Sequence, residues 1–145
     1  MNNSILVDSS FLYALHDKSD KFHLSAAKFS KESDIPLVIP DVVLVEVTHL
    51  LNEFIGYHAV LAFMGVLTTS ANTQIEAVTM NDLKEAYAIM QKYAASRFDL
   101  VDACIFVLAD RLNLNRICTF DRRDFSKFRP THCEYFELLP EIINE

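Results

Sequence analysis

The sequence predicts an α/β fold with a mainly parallel sheet, and three observations carry that expectation. Short apolar runs rich in β-branched residues alternate with longer stretches of helical periodicity. No internal repeat, linker or low-complexity tract interrupts the alternation. The chain has 145 residues, 51% of them hydrophobic, enough for one domain (1–145) with a sizeable core.

Taken in order, Ser4–Val7 reads as a strand that runs into Asp8, then Ser9 and Ser10, then a helix carrying Phe11, Leu12, Ala14 and Leu15. Strand, acid, helix places the Asp8 carboxylate at a strand's carboxyl end, where open α/β sheets bind ligands; the alternative is that Asp8 or a serine merely caps the helix. A second helix is expected over Phe22–Lys31, capped by Ser19 or Asp20, with Leu24, Ala27 and Phe29 partly buried. Pro36–Ile39 is the next strand. A helix then runs to Phe54 with Asp41 as its N-cap, and Val43, Val47, Leu50, Leu51 and Phe54 share one face. Glu46 falls at the margin of that face, beside His49 and Glu53, and periodicity leaves open whether it points into a cleft or into water. Tyr57–Thr68 is a second apolar helix across Gly56. The pair carries more apolar surface than one small sheet covers, which predicts an oligomer or partner interface.

Thr73–Val78 alternates like a strand, and Thr79–Ala95 is helical with Leu83, Ala86, Tyr87, Met90 and Ala94 inward. Asp99 then reads as an N-cap, with Asp102 at the third helical position. Residues 103–109 are apolar without a break, the mark of a buried helix. Arg116–Phe120 is a strand leading to Asp121, followed by a charged turn, Arg122–Phe125, with one apolar anchor. Tyr135-Phe136 suggests an edge strand, and Pro140 the start of a short terminal helix.

Composition narrows the chemistry. Two glycines exclude a Gly-rich phosphate cradle, and a net charge of −7 argues against nonspecific coating of nucleic acid. Seven of the 13 Lys and Arg nevertheless fall between Arg97 and Arg129. Three cysteines, two of them in apolar runs, read as thiols of a reducing cytoplasm. No signal peptide is visible, and the longest apolar run, Ala59–Leu67, is nine residues against the ~20 a membrane span needs.

If the first and last of the clear strands are neighbours, Asp8, Asp102 and Asp121 converge, with Glu46 the best candidate for a fourth acid. Carboxylates ~4 Å apart repel by roughly 4 kcal/mol per pair at an effective dielectric near 20, so such a cluster requires protons or cations. His16 and His23 have no His or Cys partner at metal spacing. The oxygen-only set therefore points to Mg²⁺ or Mn²⁺ rather than zinc. A hard cation beside a basic rim suits phosphodiester hydrolysis.

The set Asp8-Ser9-Ser10, Glu46 in a helix after Pro40, Asp102-Ala103 opening a helix, and Thr119-Phe120-Asp121-Arg122-Arg123-Asp124-Phe125 resembles the PIN domains, and among them the VapC-type toxins. The resemblance covers essentially the whole chain. It implies a Rossmann-like sheet with the first strand beside the fourth. It also implies a metal-dependent endoribonuclease, usually dimeric, that is paired with a small antitoxin. Carried over residue by residue, Asp8, Glu46, Asp102 and Asp121 match the acidic quartet. Ser10 and Thr119 match hydroxyls kept near the metal, and Asp99 matches a position able to reach a second metal through water. The acidic net charge departs from what RNA binding favours, so RNA affinity is expected to depend on Arg97, Arg122, Arg123 and Lys127. Two other readings are an RNA-maturation nuclease with no toxin role and an interaction module with an idle site. A phosphohydrolase using Asp8 as nucleophile would want a second acid where Ser10 stands.

Overall fold

The computed structural model describes residues 3–143. Five strands, β1 (Ile5–Val7), β2 (Leu37–Pro40), β3 (Thr73–Glu76), β4 (Arg116–Cys118) and β5 (Glu137–Leu139), form one sheet in the order β3-β2-β1-β4-β5. Every pairing is parallel. The helices are α1 (Ser9–His16), α2 (His23–Glu32), α3 (Asp41–Phe54), α4 (Tyr57–Thr69), α5 (Met80–Lys92), α6 (Leu100–Leu112) and α7 (Arg122–Lys127), with a 3-10 turn at Ala94–Ser96.

The strand order reverses between β1 and β4. From β1 the chain winds outward through β2 to β3, then returns through α5 and α6 to the other side of β1. The carboxyl ends of β1 and β4 flank this switch point, where adjacent loops part and leave a crevice. All three residues of β1 are buried, as are Ile117 and Cys118 of β4. The ladder continues past the strands, since Asp8 N–H donates to the Cys118 carbonyl at 3.0 Å. The register of the crevice is thus fixed by backbone bonds.

Helix α6 is buried on all sides from Asp102 to Ala109, which its unbroken apolar run predicts. Ala86 of α5 meets Ala103, Cys104 and Val107 of α6, small side chains that let the two helices approach closely. A capping box starts α5: Thr79 accepts from Asp82 N–H (3.1 Å) and Asp82 accepts from Thr79 N–H (2.9 Å). Arg111 of α6 forks onto the fully buried Asp82 at 3.0 and 2.9 Å and reaches Glu76 at 3.0 Å. This paired network locks α5 to α6 and β3.

Several local expectations are corrected. Asp41 does not cap α3: the helix begins at Asp41 behind Pro40, and the Asp41 carboxylate accepts instead from Val78 N–H at 3.3 Å. Helix α2 starts after Phe22 without a side-chain cap, because Asp20 binds Phe22 N–H in the preceding turn. Leu24 is half exposed, and Phe54 is exposed although it shares a face with the buried Val43, Val47 and Leu51. Tyr87 and Ala94 are exposed, not inward, α5 ending at Lys92 before Ala94. The charged turn after Asp121 is helix α7, anchored by buried Phe125. The edge strand is β5, just beyond the buried Phe136, and no helix follows Pro140 among the described residues. Gly56, at φ +142, makes the α3–α4 corner in a conformation that a side chain would strain. Cys104 and Cys118 are buried free thiols, and Cys133 is half-buried. Among the described residues no helix is long and apolar enough to cross a membrane.

Candidate active site

Asp8 leaves β1 in extended conformation and stands at the N-cap position of α1 without making a side-chain capping bond. Its carboxylate is free to turn into the crevice, where Thr119 Oγ1 donates to Oδ2 at 2.8 Å and Ser10 Oγ at 3.0 Å. Both hydroxyls work in two directions. Thr119 Oγ1 also accepts from Asp121 N–H at 3.0 Å, and Ser10 Oγ accepts from Phe120 N–H at 2.9 Å. Ser10 and Thr119 therefore position the turn that carries Asp121 against the end of β1.

Glu46 faces the crevice. From α3 it accepts a short hydrogen bond from Ser9 Oγ, and Ser9 Oγ also lies 3.5 Å from Asp8 Oδ1. Asp99 caps α6 by accepting from Asp102 N–H at 2.8 Å, which leaves the buried Asp102 carboxylate in the first turn, directed at β1 and α7.

Among the described residues Asp102, Asp121 and Asp124 converge, with donor oxygens all within 4.8 Å of one another. At that separation like charges repel by about 3–4 kcal/mol per pair at an effective dielectric near 20. Their proton affinities respond accordingly. Burial, then the charges of Asp8, Asp99, Asp121 and Asp124, push the Asp102 carboxyl up to about 8. Burial pushes Asp8 up to about 6 against the opposing bonds from Thr119, Ser9 and Ser10, with the Glu46 charge adding to the rise. Asp121 is raised by burial and by Asp124 and Asp99.

Asp124 is the site residue that the sequence reading missed. It is three positions beyond Asp121, and its Oδ1 is buried without a hydrogen-bond partner; the Arg123 guanidinium stands 3.8 Å away, beyond hydrogen-bond reach. An orphaned buried carboxylate oxygen among three converging acids, with no nitrogen or sulfur donor in the set, fits a hard divalent cation. The trio does not include Asp8 or Glu46. Asp8 adjoins it electrostatically, and Glu46 connects to it only through Ser9 and Asp8.

Residues 5–129 match the family model described as PIN domain. Over 136 residues the sequence is 30% identical to Ribonuclease VapC26 of Mycobacterium tuberculosis (strain ATCC 25618 / H37Rv), covering 94% of this chain and 100% of that protein. The chain is a VapC-type PIN domain. Its fold matches that of M. tuberculosis VapC20, described as a sarcin–ricin loop cleaving toxin, with a TM-score of 0.76 at 24% identity, over 82% of this chain and 91% of that one. A toxin–antitoxin complex from Klebsiella pneumoniae contains a chain with a TM-score of 0.65 at 19% identity (86% and 92% covered). VapBC2 from Rickettsia felis, bound to a DNA fragment from its promoter, contains one with a TM-score of 0.67 at 11% identity (94% and 99% covered).

The basic residues around this PIN-domain site divide into two kinds. Arg97, in left-handed conformation before α6, Arg123 and Lys127 are exposed. Arg122 is half-buried and points inward: its Nε donates to the Thr119 carbonyl at 3.1 Å and an Nη to the Pro140 carbonyl. It ties α7 to β4 and to the segment after β5.

Proposed function

We propose that this PIN domain is an endoribonuclease that requires Mg²⁺ or Mn²⁺ and serves as the toxin of a toxin–antitoxin pair. The observation that carries the reading is the Asp102–Asp121–Asp124 cluster, with its orphaned Asp124 oxygen, at the switch point of the sheet. Asp102, Asp121 and Asp124 would hold the cation, with Asp8 and Glu46 at its margin and Asp99 within water's reach. A bound divalent ion would lower the pKa of water and stabilise charge on the phosphoryl oxygens.

The protein's own groups do the rest. Ser10 and Thr119 fix Asp8 Oδ2, while Oδ1 lies 3.5 Å from Ser9 Oγ. With its carboxyl at about 6, Asp8 is poised to accept a proton from an attacking water at Oδ1. Arg97, Arg123 and Lys127 present charge to RNA phosphates, and Arg122 holds their platform in place. A small antitoxin as partner is supported by the kinship with VapC26 and by the fold shared with chains of toxin–antitoxin complexes. A homodimer is supported by the apolar surface left open on α3 and α4, where Val45, Tyr57, Leu61 and Val66 are more than half exposed.

The test is to incubate the purified protein with a mixed RNA pool in Mg²⁺, Mn²⁺ or EDTA and to sequence the new ends. Discrete ends with either metal and none in EDTA are expected. Full cleavage in excess chelator removes the metal mechanism.

A further inference from the structure

Beside the acids lies a cavity of about 370 Å³ whose wall includes Asp121, Ser9 and Ser10 and is otherwise mostly aromatic. Phe22 and Phe120 stack at 4.5 Å between centroids with 4° between planes. Tyr13 and Phe54 meet edge to face at 6.3 Å and 80°. Both pairs line the same cavity, and Phe120 immediately precedes Asp121 in the chain, so the aromatic wall is continuous with the reacting centre.

Apart from the Asp121 carboxylate, which belongs to the acidic cluster, and Lys21, the polar groups of this wall already have partners. Tyr13 OH donates to Asp17 at 2.6 Å, Asp20 accepts from Phe22 N–H at 2.9 Å, Ser9 donates to Glu46, and Ser10 is bound to Asp8 and Phe120. Phe120 also stacks on Phe11 at 6.2 Å and 22°, so the ring surface open to the cavity comes from Phe22, Tyr13, Phe54 and the edge of Phe120. With it stands one cation, Lys21, whose ammonium lies 5.0 Å from the Phe22 ring centroid. A flat, neutral ring attached to a phosphate matches that surface. Such a ring is held by stacking, which tolerates any base because every base has a π-face.

We propose that this cavity receives an unstacked nucleobase next to the scissile phosphate, stacked against the Phe22–Phe120 and Tyr13–Phe54 pairs, with Lys21 on the adjoining phosphate. The inference rests on the ribonuclease reading. It predicts a substrate that is single-stranded at that nucleotide and a cavity indifferent to which base is present but dependent on there being one.

The experiment starts from a cleavage position mapped with wild-type protein and Mn²⁺. Synthetic single-stranded RNA spanning it is prepared intact, with each flanking base exchanged, and with an abasic site on either side of the cut. Wild type should lose roughly five- to a hundredfold in kcat/KM on one of the two abasic strands, the range expected from base–aromatic stacking, and little on the exchanged bases. Phe22→Ala should lose a similar factor on intact RNA and nothing further on that abasic strand, while Phe22→Trp restores the loss. Phe54→Ala should behave like Phe22→Ala, and because Phe54 is 69% exposed its truncation leaves the fold intact. Wild type that cuts intact and both abasic strands equally overturns the cavity's role while the nuclease stands. Wild type that cuts no RNA with either metal overturns both. Phe22→Ala and Phe54→Ala variants that cut every strand as wild type does, yet escape inhibition by the antitoxin, assign the cavity to the protein partner and overturn the RNA reading.

Discussion

At the scale of single residues, the site is a balance between like charges and whatever neutralises them. Asp102 shows the sign most clearly. Its folded-state carboxyl stands at about 8 against an ordinary 3.8, raised by burial and by four neighbouring acids. The folded protein therefore holds that proton more tightly than the unfolded chain does. The stability it contributes is fully present below the unfolded value and is lost as pH rises through about 8. In chelator, wild type should melt progressively lower from pH 5 to pH 9, and Asp102→Asn should flatten that fall and melt higher than wild type at the alkaline end. If Asp102 served only the helix dipole, the variant would instead melt lower at every pH, by about 0.3–1 kcal/mol, and would gain as much from Mn²⁺ as wild type. Asp124→Asn supplies a second test. Its orphaned oxygen has no hydrogen bond to lose, only the distant and exposed Arg123 guanidinium, so the variant should fold and melt normally in EDTA. It should nevertheless lose most of the rise in Tm that millimolar Mn²⁺ gives wild type, since a ligand that binds only the folded state stabilises it by RT ln(1 + [L]/Kd). Thermal melts with and without Mn²⁺ decide both cases, and an Asp124→Asn protein stabilised as fully as wild type would exclude that carboxylate from the site.

At the scale of elements, Asp99-x-x-Asp102 and Asp121-x-x-Asp124 place acids at the N-cap and third position of two helices that converge on β1. In α6 the cap is engaged with the backbone and only Asp102 faces the crevice; in α7 the cap makes no side-chain bond, and both acids face it. The first motif was legible because an apolar helix follows it. The second was not, because α7 has six residues and buries only Phe125, too short a pattern to separate from a turn. The strands at β1 and β4 and the buried α6 were legible for the same reason, as their apolar runs have no solvent side. Phe54 and Tyr87 misled because apolar periodicity marks a face without saying what covers it. Arg122 misled in a different way, since a basic residue beside acids looks like a phosphate contact until its guanidinium is found on two carbonyls. That distinction is testable. Replacing Arg123 and Lys127 together by Ala should lower the slope of log K against log salt for RNA binding by roughly 1.4 to 1.8 at unchanged Tm. Arg122→Ala should mainly lower Tm, because it leaves the Thr119 and Pro140 carbonyls without that donor. Equal Tm losses and an unchanged slope in the double variant would place the RNA on another surface.

At the scale of the whole molecule, charge and apolar surface pull in opposite directions. Each copy carries −7, so two copies repel, and the homodimer proposed above depends on the apolar face of α3 and α4 to offset that repulsion. Leu61, 57% exposed near the middle of α4, is the residue to change. In a free monomer Leu61→Glu places a carboxylate in water on a helix surface and should leave Tm nearly unchanged. In a dimer it buries an unpaired charge of the same sign as the partner's, which costs about 3 kcal/mol or more, at least a hundredfold in Kd. Sedimentation of wild type should therefore give twice the 16.6 kDa chain mass, and the variant should give one. The salt response separates this face from the RNA surface. Screening relieves the repulsion between acidic copies and tightens the dimer, whereas it weakens phosphate contacts. A wild-type protein that sediments as a monomer at every concentration, with Leu61→Glu indistinguishable from it at low and high salt, would leave that apolar face to the antitoxin alone.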